Sequence, residues 1–503
     1  MYLSSTLIEE ITGGEWLNLD DDINFKKVIV WRKEEFEIFF NPKENHFSEN
    51  IFFMWQKPNH NNNNLIEDLI SSGVAAIVVS EKDKNKYQYQ RRQTITHPLL
   101  VVKNSKKALK DIAFYMRDNF KIPRVVVTGA VGKTGFKNQL IKLLSFQTEV
   151  NATCGTRNLD NAILCSMSSL DVNDKVEIIE VAGSEPHVCT RRSNLVKPNM
   201  CVITKLGIQH MNWHGSINNM IYNKASIVDG LQQGGICILN ADCEYFERIK
   251  KIIKEKRDDI IIKTFGSNED CDARLIKSKL NMCDLIWNVE ASIEGIEVSY
   301  KVPILGEHVP VMSLCPLLSV NCLGYDVKKA AHDFIHFKSK YTMGRFSEIG
   351  TKGGTFKFLD YSYGASLPSF TSSLKLLKNI HPKKHSKKIA VVGRSVVLAW
   401  DNVQTEMAKL IDNVDIDELY LVGKFDKSIM NNVKNINIKY ADTWQEIENE
   451  VINKIGDGDV IYIQGYRTRR GGITLWPIAN TIYKMGNVRF IIGEAIEPSN
   501  KQK

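Results

Sequence analysis

The sequence has no run of about eighteen apolar residues, the length that a bilayer-crossing helix requires. Its first stretch, MYLSSTLIEEITGGEWLNLDDD, lacks the basic and apolar regions of an export signal. Both absences predict a cytoplasmic protein with no membrane partner. The ten cysteines are scattered without a C-x-x-C pair or a His/Cys cluster at zinc spacing, which predicts reduced packing thiols, no disulfide and no zinc. A basic stripe is missing too. The net charge is +8, but Lys and Arg are spread along the chain, favouring an enzyme with anionic ligands over a nucleic-acid binder. KYQYQRRQ (87–94) and HPKKHSKK (381–388) read as solvated loops, and HNNNNLIED from His60 as a surface turn entering a helix.

What is present is an α/β pattern on a chain of 503 residues, 43% of them hydrophobic, enough for several buried cores. Residues 1–122 mix helix signals with short strands such as VAAIVVS (74–80) and end in the helix SKKALKDIAFYMRDNF, predicting a small α/β domain. Pro123 stops it. From 123 to 340 the strands VEIIEVAG, MCVITKLG and GICILN alternate with helical segments, which predicts a parallel, helix-covered sheet. From 341 to 503 the pattern restarts with TFKFLDYS, KIAVVG, ELYLVG, DVIYIQG and RFIIG, a third α/β unit.

The stretch RVVVTGAVGKTGFKNQLIKLL (124–144) reads as a buried strand, a glycine-rich break and an amphipathic helix. The loop Gly129–Thr134 then lies at a helix N-terminus, where free N–H groups and the helix dipole attract an anion and Gly129 and Gly132 let the backbone approach it. Phosphate is the expected guest. Lys133 would reach the outer phosphates and the Thr134 hydroxyl would ligand magnesium, although the spacing is shorter than the usual G-x-x-x-x-G-K-[ST] and an ordinary glycine-rich turn is the plain alternative. Ionisable or polar residues also stand near other strand ends of the middle unit: Glu180, His210, Lys224, Asn240 and Asp242.

Taken in order, TGAVGKT, NLDN, EVAGSEP, KPNMCVITKLGIQHMNWHGS, NKASIVDGL and ILNADCE resemble the central domain of the Mur ligases, ATP-dependent amide-forming enzymes of cell-wall synthesis. GRFSEI and LDYSYGASLPSF resemble their third domain, and residues 1–122 the N-terminal domain of the D-alanyl-D-alanine-adding branch. The resemblance covers essentially the whole chain. It implies three domains: an N-terminal substrate domain, a central P-loop ATPase domain and a C-terminal Rossmann-like domain. It implies ATP and Mg2+ as cofactors and a small acidic substrate with an amino acid or dipeptide as partners; the oligomeric state is left open, a monomer being favoured. ATP would phosphorylate a carboxylate to an acyl phosphate, which an amine then attacks.

Residue by residue, the resemblance implies that Gly129, Gly132, Lys133 and Thr134 hold phosphate and that Thr134, Glu180 and His210 hold metal. It implies that Lys224 is carbamylated and holds a second magnesium, with Lys133, Lys224 and His210 catalytic. Asn240 and Asp242 would contact the nucleotide, and so would Arg345 and Asp360 from the third domain. Each has a plain counterpart: a solvated strand-end Glu, a loop His, a helix-surface Lys, a surface Arg, a strand-capping Asp.

The chain also departs from the family pattern. Trp31 stands beside Arg32 where a hydroxyl residue helps to hold uridine, and QKPNHNNNN replaces a glycine-rich loop. Gly135, Asp160, Val309 and Gln464 replace a hydroxyl residue, two Asn and a Lys, and GASLPS replaces an Asn-rich loop, while Gly306 and His308 match. The expectation is therefore a ligase of specialised metabolism. The alternatives are the cell-wall reaction itself, joining D-alanyl-D-alanine to a UDP-N-acetylmuramoyl-tripeptide, and a nucleotide-binding partner protein without catalysis.

Overall fold

The computed structural model describes residues 3–30, 47–54, 65–84, 89–90, 93–94, 96–155, 157–183, 185–206, 214–281, 284–337, 344–362, 367–394, 401–423, 425, 433, 436–465 and 474–492. Three larger sheets organise them. The first contains β1 (Glu15–Leu17), β2 (Lys27–Val30), β3 (Asn50–Phe53), β4 (Ala76–Ser80) and β5 (Leu99–Val102) in the order β1-β5-β4-β3-β2. Only β1 runs antiparallel to its neighbour. The strands are short and apolar because both faces are covered; Phe52, Ile77, Val78 and Leu100 are fully buried.

Helix α1 (Ser105–Asn119) follows, its first turn capped by the Asn104 side chain, which accepts from the N–H groups of Lys106 (2.9 Å) and Lys107 (3.1 Å). Its buried stripe of Leu109, Ile112 and Met116 has helical spacing and joins the same core as Ile163, Leu164 and Met167 of the next unit. The Val28 N–H also donates to Ser169 Oγ at 2.9 Å, closing the β2 edge. The first two sheets are thus joined by a shared hydrophobic core between them.

The second sheet opens with β6 (Arg124–Thr128) and continues through α2 (Lys133–Ser145), β7 (Val150–Ala152), α3 (Asp160–Ser168), β8 (Val176–Glu180), α4 (Val188–Val196), β9 (Met200–Ile203), α5 (Ile217–Ala225) and β10 (Ile236–Asn240). Strands β11 (Ile261–Gly266), β12 (Ala273–Asn281), β13 (Ile286–Ile293) and β14 (Ile296–Val302) complete the order β7-β8-β6-β9-β10-β11-β12-β13-β14. The chain crosses from β8 over β6 to β9, so the carboxyl ends of these three strands flank a topological switch point, where open α/β sheets bind ligands. The strands read from the sequence, β8, β9 and β10, belong to a parallel, helix-covered run as expected, and β12, β13 and β14 extend the sheet as an antiparallel meander. The cause is local. Glu294 (φ 48°) and Gly295 (φ 81°) both take positive φ, the geometry of a two-residue hairpin turn.

The third sheet holds β15 (Arg345–Thr351), β16 (Gly354–Tyr361), β17 (Lys388–Gly393), β18 (Glu418–Val422), β19 (Asn437–Ala441), β20 (Val460–Gln464) and β21 (Asn487–Ile492), ordered β19-β18-β17-β20-β16-β15-β21. Five strands are parallel, and β15 and β21 add an antiparallel edge. Helix α6 (Leu367–Asn379) covers one face with Phe370, Leu374 and Leu377; Leu285 and Leu305 of the second unit join that core. Among the described residues no helix is long and apolar enough to cross a membrane.

Arg124, at the junction of the first two units, donates to Glu177 Oε2 (3.0 Å) and to the carbonyls of Arg117 (3.0 Å) and Phe120 (2.9 Å), and the Arg124 and Glu177 side chains are both buried. Arg124→Leu would leave the buried Glu177 carboxylate without its cation, with Asn151 Nδ2 (3.1 Å) and Ser166 Oγ (3.2 Å) still donating to it. The expected loss is about 3–5 kcal/mol of stability in denaturant unfolding; a loss below about 1 kcal/mol would show that the pair is dispensable.

Candidate active site

The loop between β6 and α2 is held by its neighbours rather than by its own side chains. Ala130 and Val131 donate their N–H groups to Lys205 O (2.9 and 3.2 Å), and Thr204 Oγ1 donates to Val131 O (2.7 Å). Gly129 (φ 150°) and Gly132 (φ 91°) use backbone geometry that L side chains avoid. A Cβ on Gly129 would lie 2.0 Å from Thr204 Oγ1. Helix α2 starts at Lys133, one residue inside the stretch that the sequence assigns to the loop. Its first intrahelical bond runs from Phe136 N–H to Gly132 O (2.8 Å), so the N–H groups of Lys133, Thr134 and Gly135 precede the hydrogen-bonded ladder. This is an anion cradle.

Two amines converge on this loop. Lys133 Nζ donates to Gly129 O (2.9 Å) and Ala130 O (3.3 Å), and Lys224 Nζ donates to the same Gly129 O (3.3 Å). Lys224 is 2% exposed, which corrects the plain picture of a helix-surface lysine. Burial lowers its pKa to about 8, with Cys189 opposing and Lys133 and Arg192 reinforcing the shift. Burial also lowers that of Lys133, partly offset by Glu180.

Glu180 ends β8 and is 1% exposed, so it is not a solvated strand-end residue. Thr134 Oγ1 donates to its Oε2 (2.8 Å) and Asn158 Nδ2 to its Oε1 (2.9 Å). Lys137 Nζ lies 3.7 Å from Oε2 and donates to Thr153 O (2.7 Å). Sequence reasoning passed over Lys137. Its signal was present: it follows Lys133 by four residues, hence the same helix face, and burial lowers its pKa against the pull of Glu180. Asn158, Thr204 and His214 were passed over as well, since their contacts are set by the tertiary fold.

Of the residues expected at the site, the structure gathers Gly129, Gly132, Lys133, Thr134, Glu180 and Lys224. Asn240 ends β10 and its Nδ2 approaches Met312 Sδ (3.8 Å), whose methyl carbon lies 3.0 Å from a Cβ built on Gly132. Asp242 faces a turn, accepting from Ser267 N–H and Oγ, each at 2.9 Å. Arg345 and Asp360 pair with each other in the third sheet (2.6 Å), and Tyr483 OH donates to Asp360 (3.0 Å). Among the described residues, no hydrogen bond joins this pair to the loop. Arg345 is buried, and among the described residues its Nε and Nη2 have no hydrogen-bond partner. His210, Trp31 and Arg32 lie outside the described residues.

The donor set fits a magnesium ion. A hydroxyl and a carboxylate oxygen meet at 2.8 Å beside an anion cradle, and Mg2+ takes one or two protein carboxylates with phosphate and water completing its shell. Among the described residues no three His, Cys, Asp or Glu cluster as a metal cage.

Residues 127–310 match the model of the Mur ligase middle domain. The UDP-N-acetylmuramoyl-tripeptide--D-alanyl-D-alanine ligase of Rickettsia prowazekii is 25% identical over 438 residues, covering 86% of this chain and 92% of that protein. The ligase of the same name from Bacillus subtilis is 23% identical over 361 residues, covering 71% and 74%. Among solved structures, a MurF crystal structure from Acinetobacter baumannii superposes with TM-score 0.74 at 17% identity, covering 96% of this chain and 99% of that one. The MurF ligase from Thermotoga maritima in complex with ADP superposes with TM-score 0.65 at 20% identity, covering 88% and 96%. These superpositions give the fold.

Thr204 Oγ1 is tied to Val131 O and Thr128 O, so it cannot swing aside for a new methyl group. Gly129→Ala is expected to weaken nucleotide binding by at least about tenfold, or about 1.4 kcal/mol, in a titration with labelled nucleotide. Unchanged affinity would remove this loop from the nucleotide site.

Proposed function

We propose that this chain, which carries a Mur ligase middle domain within a three-sheet Mur ligase fold, is an ATP-dependent ligase joining a carboxylate to an amine through an acyl phosphate. The observation that carries the reading is the convergence of Lys133 and Lys224 on the Gly129 carbonyl beside the Thr134–Glu180 pair. Two amines, a hydroxyl and a carboxylate at a helix N-terminus form an arrangement for a polyphosphate, and phosphoryl transfer is mainly positioning and charge neutralisation.

In this reading the N–H groups at the start of α2 receive the β-phosphate, and Lys133 leaves the Gly129 carbonyl for the outer phosphates. Thr134 and Glu180 would hold magnesium, which when bound supplies charge neutralisation and alignment of the triphosphate. Lys137 and Asn158 keep the Glu180 carboxylate aimed. Lys224, as a carbamate, would exchange a cation for an anion and hold a second ion. The fit is chemical: the modification needs a neutral amine, and with a pKa of about 8 roughly a tenth of Lys224 is neutral at pH 7, against roughly one part in three thousand for an unperturbed lysine. The two unpartnered nitrogens of Arg345 suit a nucleotide phosphate reached from the third domain. Divided as 1–122, 123–340 and 341–503, the chain would place the acidic substrate on the first domain and the nucleotide between the other two.

The substrate pair is an acidic small molecule with an amino acid or dipeptide. Trp31 and the stretch QKPNHNNNN support a carboxylate other than the UDP-linked tripeptide named in the relatives, and so a reaction of specialised metabolism.

Phosphate release on incubation with ATP, magnesium and paired libraries of acids and amino acids tests the ligase reading. Lys133→Ala and chelation of magnesium are each expected to abolish release; product formed by either would overturn it. UDP-N-acetylmuramoyl-tripeptide with D-alanyl-D-alanine is expected to give no ADP above background, and robust turnover of that pair would restore the cell-wall reaction. Lys224→Arg keeps the charge but cannot form a carbamate, so it is expected to be inactive, and near wild-type rates would reject the modification. In CO2-stripped enzyme, reactivation at one fixed concentration of dissolved CO2 should be up to about tenfold faster at pH 9 than at pH 7, because the amine loses its proton as pH rises through about 8.

A further inference from the structure

Gly183 lies three residues beyond Glu180, and its carbonyl oxygen receives two side chains from the α5 region. His214 Nε2 stands at 3.2 Å and Asn223 Nδ2 at 3.4 Å. A carbonyl oxygen can only accept, so both groups must donate. That fixes His214 in its Nε2–H form and leaves its Nδ1 as a lone pair, and it turns the Asn223 Oδ1 away. Both remaining acceptors are buried and unpartnered among the described residues. Each side chain therefore gives up a second hydrogen bond in order to make this one, so the hold on Gly183 is what orients them.

The other side of Gly183 is gripped too. A Cβ there would lie 2.7 Å from Lys224 Nζ, 2.7 Å from Cys189 Sγ and 3.0 Å from Lys224 Cδ. Asn223 and Lys224 are neighbours in the last turn of α5, so one turn of helix clasps Gly183 from both sides. His214 is anchored in turn, its carbonyl accepting from Asn219 Nδ2 (2.9 Å). Among the described residues no hydrogen bond joins Glu180 to Lys224 directly. Segment 181–183 is the covalent link from Glu180 to the point that α5 holds.

We propose that His214 and Asn223 are positioning residues, which hang segment 181–183 from the Gly183 carbonyl and thereby set the separation between the Glu180 carboxylate and the Lys224 amine. The proposal rests on the ligase reading, in which these two groups serve the metal ions. Val181 and Ala182 keep their own N–H bonds to Val127 O (2.9 Å) and Asn158 O (3.1 Å), so removing the clasp frees the Gly183 end of the segment and bears on the metal site more than on the N–H groups at the start of α2.

The test uses the full-length protein with Mn2+ as the probe ion and a non-hydrolysable ATP analogue, ion uptake being followed by electron paramagnetic resonance. His214→Phe keeps a ring but loses the donor, whereas His214→Gln keeps an N–H donor of similar reach. His214→Phe is expected to raise the half-saturating Mn2+ concentration by about 10- to 100-fold while metal-free analogue binding stays within about twofold; His214→Gln should recover most of the loss. An unchanged ion requirement in a folded His214→Phe protein would overturn the proposal, as would His214→Gln being as defective as His214→Phe. If His214→Phe does not melt cooperatively, Asn223→Leu carries the same comparison with the same two outcomes. Failure of the wild-type protein to take up Mn2+ with the analogue would defeat the ligase reading and this proposal together; normal wild-type uptake with unaffected variants would defeat this proposal alone.

Discussion

One carbonyl oxygen, that of Gly129, accepts from two lysine amines, at 2.9 Å from Lys133 and 3.3 Å from Lys224. The amines are therefore no more than about 6 Å apart. If both were charged, they would repel by about 3 kcal/mol at an effective dielectric of about 20. Glu180 is the nearest counter-charge to Lys133, but its oxygens are already engaged by Thr134 and Asn158, with Lys137 close by. The site thus carries excess positive charge in a poorly hydrated place. A lowered pKa at Lys224 relieves part of it, and in the proposed reading an incoming polyphosphate, or a carbamate made from Lys224 itself, would relieve more.

Such a charge excess is tolerable only where the backbone is rigid enough not to relax away from it. The strand ends supply that rigidity. Thr204 and Lys205, just past β9, hold the loop through three hydrogen bonds, and the close approach of Thr204 requires Gly129 to be a glycine. Behind them, the first two sheets are joined by a shared core between them, while the third has its own apolar clusters and receives Leu285 and Leu305 from its neighbour. The cradle is therefore fixed before any ligand arrives. The Arg345–Asp360 pair belongs to the third sheet, and a ligand that meets both has to bridge separate cores.

How much of this was legible depended on the range of the interaction. The strand–loop–helix of residues 124–144 could be read because apolar periodicity and two glycines are local signals. Gly306 and His308 could be recognised as a spaced pair, and the structure gives the reason: Gly306 has φ 125°, and a Cβ there would lie 2.6 Å from His308 Cε1. The burial of Lys224 could not be read, because the sequence does not say that Gly183 and Cys189 pass over that helix face. The meander β12–β14 was missed although Glu294–Gly295 marks its turn; the alternating βα pattern before it suggested that the parallel sheet continued. The Arg345–Asp360 pair needed the strand register, which lies beyond single-residue spacing.

The departures from the family pattern bear on whether the chain has decayed into a binding partner. Asp160 puts a carboxylate where the pattern has an amide, two residues away from Asn158, which holds Glu180. Unanswered, that charge would raise the cost of a second carboxylate nearby and disturb the metal site. It is answered. Arg192 Nε meets Asp160 Oδ1 at 2.6 Å, Arg191 takes Oδ2, and together they hold the Asp160 pKa below its ordinary value against the cost of burial. Arg192 also donates to the Ala182 carbonyl, within the segment that leads from Glu180 to Gly183. The new charge has thus been drawn into the same scaffold that positions Glu180. Neutralised this closely, the added carboxylate does not compete with Glu180, which is what the proposed phosphate chemistry would require of this position.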